Sequence, residues 1–254
     1  MAKLSPPNIS ISLPSLSYHQ ILYLLSNEFI LIYSEFYMSN HVAKVIAILS
    51  TKGGCGKSTL ATNVARALRM GGASVLIADS DPQGTARAWR RINQTDELVG
   101  VVGIDRPTLE KDIPSISHAF NYIIIDGAAK LQEMLASALK TSDVVLIPVQ
   151  PSAADIWGCS QLVELIKTRQ QVTSKPKAAF IISRQIVGTR LAADIAEALQ
   201  EFGMHIFDSR TSQRVVYAEA LSRGSTVIDL EPRGLAATEV FSITDELRRF
   251  INEK

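Results

Sequence analysis

Five short apolar runs, largely β-branched, recur along the chain, and stretches with helical periodicity separate them. The runs are VIAIL (45–49), SVLIAD (74–79), YIIID (122–126), DVVLIPV (143–149) and AAFIIS (178–183). Between them lie STLATNVARALRM (58–70), KLQEMLASALK (130–140), GCSQLVELIKTRQQ (158–171) and LAADIAEALQEF (191–202). A strand that is apolar along its whole length must be covered on both faces, as inside a parallel sheet flanked by helices. The pattern predicts an α/β fold with a doubly wound, mostly parallel sheet. Such sheets bind ligands beyond the carboxyl ends of their strands, and the unusual residue clusters of this chain all fall there.

A length of 254 residues suits one large α/β domain, or a domain with a tail. The net charge of +1 creates no global basic field, so any surface for nucleic acid or anionic membrane has to be local. Two cysteines, Cys55 and Cys159, without a C-x-x-C pair exclude a disulfide framework, a cysteine zinc site and a cysteine-ligated iron–sulfur cluster within one chain. The histidines show no ligand spacing, and a reducing cytoplasm is the expected compartment.

After VIAIL the chain reads STKGGCGKST (50–59). The usual phosphate loop, G-x-x-x-x-G-K-[ST], would place glycine at 51, where Thr51 stands. The remainder fits. Gly53, Gly54 and Gly56 let backbone N–H groups turn inward as an anion nest, and the following helix adds the positive end of its dipole. Gly53 and Gly54 are expected to make the turn that a glycine at 51 would have made. Lys57 is placed to reach the β- and γ-phosphates, Ser58 to ligate Mg²⁺, and Thr59 to meet the α-phosphate. Cys55 falls where a small side chain is tolerated; activation of its thiol by the helix terminus is the alternative. The loop predicts a bound nucleoside triphosphate.

Two acidic clusters follow. DSDPQG (79–84) closes the second strand, and Asp79 and Asp81 can serve a Mg²⁺ site and a water-positioning site on one face. Pro82 and Gly84 let the chain turn away. An acid here could instead grip a ribose hydroxyl, as in dinucleotide folds, but G-x-G-x-x-G is absent and the Lys-Ser pair is present. In NYIIIDGAA, Asp126 ends an apolar strand in the manner of a Walker B acid, with its carboxylate on a Mg²⁺-bound water. Gly127 would give the γ-phosphate-sensing turn its freedom.

KGGCGKST, DSDPQG and YIIIDGAA, in this order, resemble the ParA/MinD family of deviant-Walker P-loop ATPases, and most of all its small ParF-like partition proteins. The likeness runs from about Ala43 to the C-terminus. It implies an ATP-hydrolysing partition protein with weak intrinsic activity. ATP and Mg²⁺ would support a sandwich homodimer that binds non-specific DNA, and hydrolysis stimulated by a ParB-like centromere-binding partner would release it. On this resemblance the extra lysine, Lys52, crosses to the phosphates of the second subunit, Asp81 positions the attacking water, and Asp126 is the Walker B acid. A cation supplied in trans suits charge spreading over transferring phosphoryl oxygens. PVQPSAADIWG (148–158) resembles a segment near the dimer interface, where Trp157 serves either the interface or the core. Ser183-Arg184 replaces the family's common Asn-Arg and leaves the adenine contact open. Candidate DNA-phosphate contacts are Arg184, Arg190, Arg210, Arg214 and Arg223, each also readable as a salt-bridged surface residue.

Residues 1–37 differ from the rest. LSYHQILYLLSNEFILIYSEFY (16–37) is aromatic-rich and lacks lysine and arginine, yet Glu28, Glu35 and several polar residues spoil it as a membrane span. The expected reading is a dispensable extension, with translation starting at Met38 and an ATPase domain over 38–254. A MinD-like membrane-cycling ATPase and a ParA-like cargo-positioning ATPase are the alternatives. The first would need a basic amphipathic terminal helix, whereas in ITDELRRFINEK the apolar face of Ile243, Leu247, Phe250 and Ile251 is expected to pack on the body. Electron transfer, as in relatives of the nitrogenase iron protein, is excluded by the missing cluster cysteines.

Overall fold

Each of the five apolar runs is a strand in the computed structural model, which describes residues 42–92, 99–129, 131–189 and 191–253, with the backbone alone for 191–194. The extension 1–37, the start at Met38 and Arg190 lie outside the described residues. The strands are β1 (Lys44–Ile48), β2 (Val75–Asp79), β3 (Gly100–Gly103), β4 (Tyr122–Asp126), β5 (Val144–Val149), β6 (Lys177–Ile182) and β7 (His205–Ile206). They form one sheet in the order β3-β2-β4-β1-β5-β6-β7, with every pairing parallel. The four central strands are buried almost throughout, which is why their sequences are apolar without alternation.

Among the described residues there are nine α-helices: α1 (Lys57–Met70), α2 (Thr85–Ile92), α3 (Leu109–Ile116), α4 (Gln132–Thr141), α5 (Ala153–Thr173), α6 (Leu191–Gln200), α7 (Val215–Ser222), α8 (Val227–Leu230) and α9 (Leu235–Asn252). Two cores result. One face of the sheet packs on α3, α4, α5 and α6 through residues such as Ile113, Leu135, Leu162 and Leu199. The other packs on α1, α2 and α9 through Leu60, Val64, Trp89, Ile243 and Leu247. The sheet is doubly wound, as the alternation predicts.

Several features are not visible in the strand–helix rhythm, strand β3 and the start of α5 among them. Strand β3 is only GVVG; it lies at the sheet edge and is largely exposed, so nothing selects a long apolar run there. Helix α5 begins five residues before its apolar periodicity suggests. The Ser152 hydroxyl caps it, accepting from the Asp155 N–H at 3.1 Å. This early start places Asp155, Trp157 and Gly158 on a helix that reaches the phosphate loop.

Candidate functional site

Strand pairing sets the frame. Asp126 is in register with Ile48 on one side and with Asp79 on the other, so both acids stand at the carboxyl edge beside the loop that leaves β1. That loop turns through left-handed backbone at Gly54 (φ 77°) and Gly56 (φ 96°). The turn is therefore made by Gly54 and Gly56, not by Gly53 with Gly54, and it delivers the chain into the N-terminus of α1. Ser183 of the β6 end ties the loop down by donating its hydroxyl to the Cys55 carbonyl at 2.7 Å. Gln150 and Arg184 each donate to the Gly54 carbonyl, at 2.8 and 3.1 Å.

The two lysines are held differently. The buried Lys57 ammonium donates to the Lys52 carbonyl at 2.8 Å, inside the curl of the loop where a phosphate would sit. Lys52 points out of that curl, and its ammonium pairs with Asp155 in the first turn of α5 at 2.8 Å. Gly158 makes room for it, since a Cβ there would lie 3.0 Å from the Lys52 Cε. Thr51 is fixed to the same helix, its hydroxyl donating to the Gly158 carbonyl. Asp155 and Gly158 were not expected as site residues. Their only sequence signal is an acid and a glycine soon after a strand's carboxyl end. Trp157, between them, is 74% exposed and belongs to the surface, not the core.

The acids have distinct surroundings. Asp126 is fully enclosed, Oδ2 has no hydrogen-bond partner, and Ser58 hydrogen-bonds the carboxyl group. Burial pushes its pKa up to about 7, opposed by the Ser58 bond and the nearby Lys57 charge. An orphaned carboxylate oxygen beside the Ser58 hydroxyl fits a divalent cation with its water shell. Asp79 is also buried, and burial raises its pKa, but its oxygens are occupied. Oδ1 accepts the Asp81 N–H at 3.1 Å and Oδ2 the Arg87 N–H at 2.9 Å. Asp79 thus anchors the DSDPQG turn and the start of α2. Asp81 is partly exposed, and its Oδ1 accepts the Gln83 N–H at 3.0 Å. Gly127 has a different reason for being glycine than turn freedom: a Cβ there would lie 2.4 Å from Leu49 Cδ2 and 2.9 Å from the Ile48 carbonyl.

One cavity of about 440 Å³ collects these elements. Gly53, Gly54, Gly56, Lys57, Ser58 and Thr59 line its floor, and Asp81 stands at its side. Its far wall is apolar and polar in turn, built from Ile181, Tyr217, Leu221 and Val240 with Ser183, Gln213 and Arg214. Arg184 and Arg214 therefore line this cavity; Arg214 also pairs with Glu239 at 3.1 Å, and the Tyr217 hydroxyl donates to Glu239 at 2.8 Å. Arg223 pairs with Glu219, and Arg210 donates to the Asp208 carbonyl. Lys52 and Asp126 are outside the cavity lining, one turned toward α5 and the other enclosed beneath Ser58.

A parallel sheet with an anion nest at the end of its central strand, a buried lysine in the nest and a cation-seeking acid alongside defines a P-loop nucleotide-binding domain. Residues 46–227 match the CobQ/CobB/MinD/ParA nucleotide binding domain, and the chain belongs to that family. It is 27% identical over 219 residues to maintenance of carboxysome distribution protein A of Halothiobacillus neapolitanus, covering 85% of this chain and 98% of that one. It is 24% identical to the sporulation initiation inhibitor protein Soj of Bacillus subtilis, covering 81% and 98%. Among solved structures, the septum site-determining protein MinD of Pyrococcus horikoshii, complexed with Mg-ADP, superposes with a TM-score of 0.67 at 18% identity, covering 83% and 98%.

Proposed function

We propose that this chain is an ATP-hydrolysing switch whose ATP-bound sandwich dimer binds non-specific DNA and lets go after hydrolysis. The observation that carries this reading is the placement of Lys52. Its charge is kept out of its own phosphate nest and parked on Asp155, beside an exposed Trp157, on a surface that a second subunit could meet. The residues fit ATP with Mg²⁺. Gly54, Gly56, Lys57, Ser58 and Thr59 bind the phosphates, Ser58 and Asp126 hold the cation, and Asp81 orients a water toward the terminal phosphate. Bound Mg²⁺ would neutralise charge on the phosphate oxygens. Lys52, once released from Asp155, would place its ammonium on the phosphates of the facing subunit and make turnover depend on dimerisation.

The resemblance to DNA-partition proteins and the 27% identity to a carboxysome distribution protein support one DNA-bound cycle serving either cargo. A partner of the ParB type, or a cargo-borne equivalent, would stimulate turnover and set localisation on the nucleoid. Membrane cycling has less support. The apolar face of α9 is spent on the sheet, with Ile243 and Leu247 fully buried and Phe250 8% exposed. No described helix is long and apolar enough to cross a membrane. The test is an electrophoretic shift of random-sequence duplex with ATP, ADP and no nucleotide, run beside liposome sedimentation. An ATP-specific shift is expected. Sedimentation with liposomes and no shift would replace this reading with the membrane one.

A further inference from the structure

Arg87 lies in the first turn of α2, and its guanidinium reaches back over the DSDPQG turn. One terminal nitrogen donates to the Asp81 carbonyl at 3.0 Å, and the other to Asp105 Oδ2, just beyond β3, at 3.2 Å. Nε stands 3.5 Å from Asp79 Oδ2, the same oxygen that accepts the Arg87 backbone N–H. Two glycines leave the passage through which this side chain runs. A Cβ at Gly103 would lie 2.8 Å from Arg87 Cδ, and one at Gly84 would lie 3.1 Å from Arg87 Nε.

These contacts fall on the backbone of Asp81. Its N–H donates to Asp79 Oδ1 at 3.1 Å, and its carbonyl accepts the Gly84 N–H at 2.8 Å as well as the Arg87 guanidinium. Both main-chain groups of Asp81 are therefore held, and the residue borders the nucleotide cavity. Arg87 and Asp105 do not line that cavity, so any effect of theirs on a bound phosphate passes through the turn. A planar fork serves the Asp81 carbonyl and Asp105 together, whereas an ammonium is a single point charge on a flexible stem.

We propose that Arg87 is a positioning residue for hydrolysis, one that fixes the DSDPQG turn against the end of β3 and so holds Asp81 where it must orient the attacking water. The proposal rests on the ATPase reading above and on the role given there to Asp81. Its physical warrant is the steep dependence of such a step on geometry: a misplacement of about 1 Å costs on the order of a hundredfold in rate. Asp105 is the outer anchor of the same arrangement and steadies the guanidinium from outside the cavity.

The test uses the full chain with Mg-ATP. It compares wild type, Arg87→Gln, Arg87→Lys, Asp105→Ala and the double variant Arg87→Gln/Asp105→Ala, measuring equilibrium ATP binding, kcat, KM and Tm. Arg87→Gln should lower kcat by about ten- to a hundredfold, with KM and ATP affinity within about twofold of wild type. Arg87→Lys should recover only part of that loss. Asp105→Ala should lower kcat by about two- to fivefold. In the double variant it should add nothing to the effect of Arg87→Gln, a non-additivity that independent losses of stability would not give. Wild-type kcat in Arg87→Gln, a parallel fall in its ATP affinity, or multiplied losses in the double variant would overturn the proposal and leave ATP hydrolysis standing. Should Arg87→Gln fail to fold, Asp105→Ala decides: a lowered kcat at unchanged ATP affinity supports the proposal, and an unchanged kcat overturns it. ATP binding without hydrolysis by wild type overturns the ATPase reading and this proposal together.

Discussion

Lys52 and Lys57 stand five residues apart and use their charge in opposite ways. Lys57 is buried and donates to a carbonyl of its own loop, so its ammonium is already in the nest. Lys52 is partly exposed and must leave Asp155 before it can act elsewhere. Exposed ion pairs of this kind contribute at most about 1 kcal/mol. Asp155→Asn should therefore strengthen ATP-dependent dimerisation by about two- to fivefold, read by sedimentation velocity with ATP. A weaker dimer would show that Asp155 also works in the assembled form. Lys52→Ala should keep ATP binding and lose partner-stimulated hydrolysis; unchanged stimulated turnover would refute its role across the interface. Asp126 yields a pH prediction. Its folded pKa of about 7 is raised above the ordinary carboxylate value of 3.8. The stability it contributes is fully present below pH 3.8 and is lost as pH rises toward 7, at up to about 1.4 kcal/mol per pH unit. In thermal melts without nucleotide or metal, Asp126→Asn should flatten the fall in Tm between pH 5 and 7. Parallel profiles for the two proteins would contradict this.

At the scale of elements, the carboxyl end of β4 shows how closely backbone and site are packed. Gly127 N–H donates to the Ile48 carbonyl at 3.1 Å, and a methyl group there would meet Leu49 and that same carbonyl. Gly127→Ala should destabilise the fold by about 1–3 kcal/mol. Gly53→Ala, whose new Cβ would meet nothing within 4 Å, should stay within about 0.5 kcal/mol in the same denaturant titration. Equal effects would mean that the β1–β4 junction relaxes freely. Elements also mark where the sequence was readable. The central strands announce themselves because burial on both faces demands unbroken apolar runs. Strand β3 and helix α2 do not, because one is an exposed edge and the other mixes a buried tryptophan with an arginine face.

For the whole molecule, the decisive contact is between the terminal helix and the sheet. Leu247 is fully buried in the core that also holds Leu68, Trp89 and Phe207. Leu247→Ala should cost about 2–5 kcal/mol and lower Tm by roughly 5–15 °C, measured by differential scanning calorimetry. Nucleotide affinity should persist below the transition. A variant with wild-type Tm but new affinity for liposomes would mean that α9 leaves the body, and would revive the membrane reading.

The amino-acid sequence by itself determined the doubly wound sheet, the phosphate loop and the three acids at strand ends. Those depend on local rules: burial sets strand composition, and a strand–turn–helix junction with lysine has few other uses. Only the tertiary structure decided what those residues touch. It tied Asp79 to the start of α2, left an oxygen of Asp126 unpartnered, gave Lys52 to Asp155 and put Arg184 and Arg214 in the cavity. Lys52 and Asp155 are 103 residues apart in the chain, and Trp89 and Ser225 are 136 apart. Contacts across such distances depend on how the crossovers place the strands, and no local pattern records them.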